Sequence, residues 1–140
     1  MVDGDVVKAR LLAVDDNLPL AELISRVAGR CGYEAHPLDN ASLLPEMLRD
    51  WRPDVLTLDL SMPDEDGMAV LSLLEERQFT GSIVIISGQA EWLRKAACRL
   101  AAGRGLNVAK DMEKPVDITA LRQVLVSICP ARMSGMRVGK

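Results

Sequence analysis

Asp59 stands at the end of Val55–Leu58, four strand-like apolar residues, and the chain then turns through Met62-Pro63 and Asp66-Gly67. An apolar run of this length bounded by turn residues suits a strand covered on both faces, as in a parallel sheet. An acid at the carboxyl end of such a strand sits where open α/β sheets place their chemistry. An aspartate that merely starts a turn or caps a helix is the common alternative. The other polar residues that follow apolar runs decide between the two. Asp15-Asp16 follow Arg10–Val14, Ser87 follows Ser82–Ile86, and Lys114 follows Asn107–Met112. Parallel strands share one rim at their carboxyl ends, so three carboxylates, a hydroxyl and an ammonium would meet there. Two unit charges about 4 Å apart interact by roughly 4 kcal/mol at an effective dielectric of about 20, so clustered acids need positive charge nearby. Lys114 supplies one charge, and a divalent cation would supply the rest. Oxygen donors without His or Cys suit Mg2+, which prefers sites completed by phosphate. A carboxylate nucleophile, a metal and a lysine around an open position are the parts of phosphoryl transfer onto Asp.

The elements that must position these groups are legible in order. After the strand Arg10–Val14, Pro19 falls in the first turn of a helix, where its missing N–H costs nothing. Leu20, Leu23, Ile24, Val27 and Cys31 form its apolar stripe, and Gly32 closes it. Tyr33–His36 reads as a second strand. A helix from Asn40 or Ser42 runs to Trp51, with Pro45 tolerable only in the first turn. The strand ending at Asp59 leads to a helix from about Met68 to Arg77, with Val70, Leu71 and Leu74 inward. Ser82–Ile86 is the most β-branched run. Glu91–Ala102 is a helix with Leu93, Ala96, Ala97 and Leu100 inward. Asn107–Met112 must be the last strand, although Lys110 and Asp111 weaken its pattern. Asp117 caps a final helix with the stripe Leu121, Val124, Leu125 and Ile128, stopped by Pro130. Five alternations of strand and helix predict an α/β fold: a five-stranded parallel sheet, doubly wound by helices on both faces.

The 140 residues suit one domain, expected as an extension over 1–9, a core domain over 10–129 and a flexible tail over 130–140. Hydrophobic content is 49% but aromatic content only 3%, so the core must come from Leu, Val, Ile, Ala and Met. A net charge of -3 argues against nucleic-acid binding, which calls for a basic surface. No signal peptide and no apolar run near the roughly 20 residues of a membrane span are evident, so a soluble, cytoplasmic protein is expected. Cys31, Cys98 and Cys129 are odd in number, scattered through helical patterns and unaccompanied by a CxxC, which reads as buried free thiols. His36 reads as a surface or edge histidine.

The chain resembles a two-component response-regulator receiver domain from Arg10 to about Cys129. The resemblance rests on Asp15-Asp16, the run Asp59-Leu60-Ser61-Met62-Pro63 with Asp66-Gly67, Ser87-Gly88 and Lys114-Pro115 in family order. It implies a flavodoxin-like fold with Asp59 as phosphoacceptor, taking a phosphoryl group from a histidine kinase or histidine phosphotransfer protein. It further implies Mg2+ ligation by Asp16, Asp59 and the backbone carbonyl of Ser61, with Asp15 acting through a metal-bound water. Lys114 would pair with Asp59 and then with the phosphoryl group, and Ser87 would bond that group. Pro115 would follow a cis peptide. A domain of this kind is not an enzyme beyond assisting its own phosphorylation and dephosphorylation. Its output would change the face of the fourth helix, fifth strand and fifth helix, where a protein target or a second copy could bind.

Two departures stand out. Asp111 occupies a position that is usually aromatic in the family, and the interval from Ser87 to Lys114 is a few residues longer than usual. The first favours an alternative, a degenerate receiver that acts as a constitutive binding module. A phosphatase with an aspartyl nucleophile fits less well, because Asp59 lies on the third strand and is followed two residues later by Ser61 rather than a second acid.

Overall fold

The computed structural model describes residues 8–60 and 67–128. Ser61, Met62, Pro63, Asp66, Cys129 and the expected tail lie outside the described residues, as does most of the expected N-terminal extension. Along the chain run β1 (Arg10–Val14), α1 (Leu18–Arg30), β2 (Glu34–Leu38), a 3-10 turn (Ala41–Leu43), α2 (Leu44–Asp50), β3 (Val55–Leu58) and α3 (Gly67–Glu76). β4 (Ser82–Ser87), α4 (Glu91–Gly103), β5 (Asn107–Glu113) and α5 (Ile118–Ser127) complete the described elements. The sheet has the order β2-β1-β3-β4-β5 with every neighbouring pair parallel, the flavodoxin-like order. Because the order reverses at β1, the crevice at the carboxyl ends of β1 and β3 is its topological switch point.

Alternation along the strands divides the core in two. Leu12, Val14, Leu56, Leu58, Ile83 and Ile85 pack with Leu44 of α2, Val70, Leu71 and Leu74 of α3, and Ala97 and Ala101 of α4. Leu11, Ala13, Val55, Val84, Ile86 and Met112 pack with Ala21, Ile24, Val27 and Ala28 of α1 and with Leu121 and Leu125 of α5. The buried Tyr33 hydroxyl donates to the Leu125 carbonyl at 2.8 Å and ties the start of β2 to α5.

Local chemistry sets most boundaries. The Asn17 side chain accepts from Leu20 N–H at 3.2 Å and caps α1, while Gly32 at φ 99° follows its last turn. Pro45 does lie in the first turn of α2, and a 3-10 turn capped by Asn40 precedes it. Gly81 has a steric cause: a Cβ there would run into the Asp54 carbonyl, which also accepts from Ser82 N–H at 3.0 Å. Gly81→Ala is therefore expected to destabilise the domain by about 1–3 kcal/mol, the usual cost of overpacking, read as a lower urea midpoint.

Several details differ from expectation. β2 is shifted toward its carboxyl end and spans Glu34–Leu38, because its ladder pairs Arg10 with Glu34 and Val14 with Leu38. As an edge strand it leaves His36 exposed, beside Trp51 with ring centroids 5.9 Å apart. The inward face of α4 is Arg94, Ala97 and Ala101, whereas Leu100 is exposed. A buried guanidinium here replaces the apolar stripe. Cys31 and Cys98 are free and only partly buried. β5 is a full strand of seven residues, but one register step between Ile83 and Val84 inserts an extra residue, Ala109, opposite β4.

Candidate functional site

Asp15, Asp59 and Lys114 directly follow β1, β3 and β5, Ser87 is the last residue of β4, and the backbone ladder carries on through them. Asp15 N–H donates to the Leu38 carbonyl at 3.0 Å, Asp59 N–H to Val14 at 3.1 Å, and Lys114 N–H to Ser87 at 3.0 Å. The carboxyl ends of β1, β3, β4 and β5 are thereby held to one rim. Asp15 and Asp59 are each 2% exposed and Ser87 is fully buried, while Asp16 is exposed.

Lys114 reaches across this rim. Its Nζ lies 3.0 Å from Asp15 Oδ2 and 3.1 Å from Asp59 Oδ2, so a single ammonium bridges two buried carboxylates. Burial pushes the Asp15 carboxyl above its ordinary range, against the Asn17 N–H at 2.9 Å and Lys114, and the neighbouring Asp59 adds to the rise. Burial also works against the Lys114 ammonium, but its bonds to Asp15 and Asp59 outweigh that and hold it above its ordinary value.

A carboxyl with a raised folded pKa binds its proton more tightly folded than unfolded, so its ionisation costs stability above that pKa and the cost fades as pH falls through it. Asp15→Asn removes a buried charge while keeping the shape. It is expected to raise the thermal midpoint of the metal-free protein by a few degrees at neutral pH, with the gain shrinking toward low pH. An unchanged or lowered midpoint in calorimetry would contradict this account.

Asp15, Asp16 and Asp59 place carboxylate oxygens within 4.8 Å of one another. With no His or Cys in the set, these donors fit a hard divalent cation. Ser61, predicted to add a carbonyl, lies outside the described residues. Ser87 Oγ accepts from Gln89 N–H at 3.1 Å, and the Lys114-Pro115 peptide is cis, as expected.

The structure adds residues that the sequence did not single out. Asn17 steadies Asp15 through its backbone and caps α1 through its side chain, a double role signalled only by its place after two acids. Arg94 and Lys95 both pair with Asp111, at 3.3 and 2.8 Å. Nothing in the helical pattern marked Arg94 as inward.

Residues 11–126 match the family described as the response regulator receiver domain. Over 118 residues the chain is 30% identical to a protein-glutamate methylesterase/protein-glutamine glutaminase of Archaeoglobus fulgidus, covering 84% of this chain but spanning only 34% of that protein's length. It is 27% identical over 120 residues to the chemotaxis protein CheY of Halobacterium salinarum, covering 84% of this chain and 98% of that one. The crystal structure of a response regulator from Colwellia psychrerythraea is similar with a TM-score of 0.76 and 26% identity, covering 86% of this chain and 96% of the other.

Proposed function

The chain belongs to the response regulator receiver domain family, and from that premise we propose that it accepts a phosphoryl group on Asp59 from a histidine kinase or histidine phosphotransfer protein. The observation that carries this reading is the Lys114 ammonium bridging the buried carboxylates of Asp15 and Asp59 at the carboxyl ends of β1 and β3. An Asp59 oxygen attacks phosphorus, the P–N bond to the donor imidazole breaks, and its electron pair leaves on the imidazole nitrogen. The product is an acyl phosphate. Asp59 makes the new bond, and Lys114 shifts from the carboxylate to a phosphoryl oxygen and neutralises charge there. Ser87 donates its hydroxyl proton to another phosphoryl oxygen.

Mg2+ held by Asp16, Asp59 and the Ser61 carbonyl, with Asp15 acting through water, would neutralise charge on the transferring group. Phosphorylation exchanges one negative charge for about two and adds strong acceptors. Drawing Ser87 and Lys114 toward them moves the ends of β4 and β5, and with them the surface of α4, β5 and α5. A downstream protein, or a second copy of the chain, reads that surface. None of the described helices is long and apolar enough to cross a membrane.

The test is incubation with Mg2+ and acetyl phosphate, counting phosphoryl groups by mass spectrometry and following tryptophan emission. Trp92 at the start of α4 is 72% exposed and Trp51 is partly buried, so movement near α4 is reported by the former. One phosphoryl per chain with a saturable Mg2+ response is expected. Mg2+ binding without any phosphoryl, and no response to beryllofluoride, would replace this function with a constitutive binding module.

A further inference from the structure

Asp111 lies on β5 three residues before Lys114, with its side chain only 11% exposed. Two cations of α4 meet it: Arg94 Nε donates to Oδ2 at 3.3 Å and Lys95 Nζ to Oδ1 at 2.8 Å. Arg94 is itself 6% exposed. A guanidinium at that depth must satisfy its N–H groups within the protein, since a buried charge without partners is costly. Its second partner is the Gln89 carbonyl, 3.1 Å from Nη1. Gln89 N–H in turn donates to Ser87 Oγ at 3.1 Å. Asp111, Arg94, the backbone of Gln89 and Ser87 Oγ are thereby linked in series from β5 to the rim, the two bonds at Gln89 lying on successive peptide groups joined at its Cα. Burial works against the Asp111 anion, but Lys95 and Arg94 outweigh it and hold the carboxyl below its ordinary value.

We infer that Asp111 and Arg94 are positioning residues for Ser87. Asp111 fixes the guanidinium, and Arg94 holds the Gln89 carbonyl, which restrains the backbone of that residue and so the direction of its N–H. The Gln89 N–H then occupies an Oγ lone pair of Ser87, which leaves the hydroxyl proton as the group to donate. A hydroxyl has one donor and two acceptor sites, so this bond selects its rotamer and sends the proton elsewhere. Lys95, half exposed, is a second counter-ion to Asp111 and does not reach the loop through any described bond. The inference rests on the reading of Ser87 as a phosphoryl ligand.

A double-mutant cycle on the rate of phosphorylation by acetyl phosphate at saturating Mg2+ tests it. Asp111→Asn is expected to slow the wild-type background by about three- to tenfold, the effect of one lost positioning hydrogen bond. In the Ser87→Ala background the same substitution is expected to change nothing. Asp111→Glu, which keeps the charge, is expected to recover most of the rate, and Mg2+ affinity is expected to be the same in every variant. Equal slowing in both backgrounds, or none in either, overturns the inference and leaves the role of Ser87 standing. A Ser87→Ala rate equal to that of the wild type removes the reading of Ser87, and the inference with it. Should Asp111→Asn fail to fold by circular dichroism, Arg94→Lys goes through the same cycle with the same two outcomes. It keeps the buried charge but replaces the planar fork, whose Nε and Nη1 bond Asp111 and Gln89 from fixed directions, by a shorter point charge.

Discussion

Asp59→Asn is expected to take phosphoryl incorporation from one per chain to none. The amide keeps the shape of the carboxylate but lacks an anionic oxygen able to attack phosphorus, so the loss is of the reaction itself and not of affinity. The same substitution removes one of three acids that share the rim, and Mg2+ should bind more weakly. The fold should survive, because Asp59 N–H still donates to the Val14 carbonyl and the strand remains paired. Intact mass after acetyl phosphate treatment, with and without hydroxylamine to cleave acyl phosphates, makes the measurement. Labelling of Asp59→Asn at the wild-type stoichiometry would assign the nucleophile to another residue.

The second large effect belongs to Lys114→Ala. Its ammonium lies about 3 Å from two buried carboxylate oxygens, where the direct attraction is roughly 5 kcal/mol per pair at an effective dielectric of about 20. Removing the cation that two buried acids share leaves both uncompensated and costs about 3–5 kcal/mol. The Lys114 side chain is 24% exposed, so solvent reduces the loss toward the lower end of that range. The pH dependence identifies the cause. Lys114 is held above its ordinary value, so its contribution is complete below the unfolded-state pKa of about 10.4 and disappears only as pH rises through the higher folded value. Without it, the buried Asp15 loses a partner that opposes its desolvation and can escape that cost only by taking up a proton. The gap in urea stability between variant and wild type is therefore expected to be wide at neutral pH and narrower in mild acid. Phosphoryl transfer to the variant is expected to slow, because no ammonium is then left to meet a phosphoryl oxygen. A gap independent of pH would mean that the loss comes from packing of the lysine stem.

The two substitutions separate the proposed nucleophile from its counter-charge, and the positions of both were visible in the order of residues along the chain. Asp15, Asp59 and Ser87 each come at the end of an apolar run and Lys114 follows the mixed sequence of β5, and five alternations of strand and helix leave a parallel sheet as the solution. A strand buried on both faces favours apolar residues, so charged groups collect where it ends, although Thr57 is buried within β3. Leu71 and Leu74 of α3 and Leu121 and Leu125 of α5 were readable for the same reason. Their helical spacing produces one apolar face, and all four are fully buried.

What the sequence by itself determined, then, was the order of elements and the rim on which the reactive groups meet, because periodic burial and turn chemistry act over a few neighbouring residues. Contacts between distant segments needed the tertiary structure. Lys114 bonds Asp59 from 55 residues away, and no local pattern shows that one ammonium serves both acids. Arg94 followed the same logic. By periodicity Leu93 and Leu100 should face the sheet, yet Leu100 lies at the surface and Arg94 turns inward. The inserted residue in β5 and the carboxylate of Asp111 make an ionic partner available there, and a paired buried charge outweighs one leucine's burial only when its counter-ion is already in place.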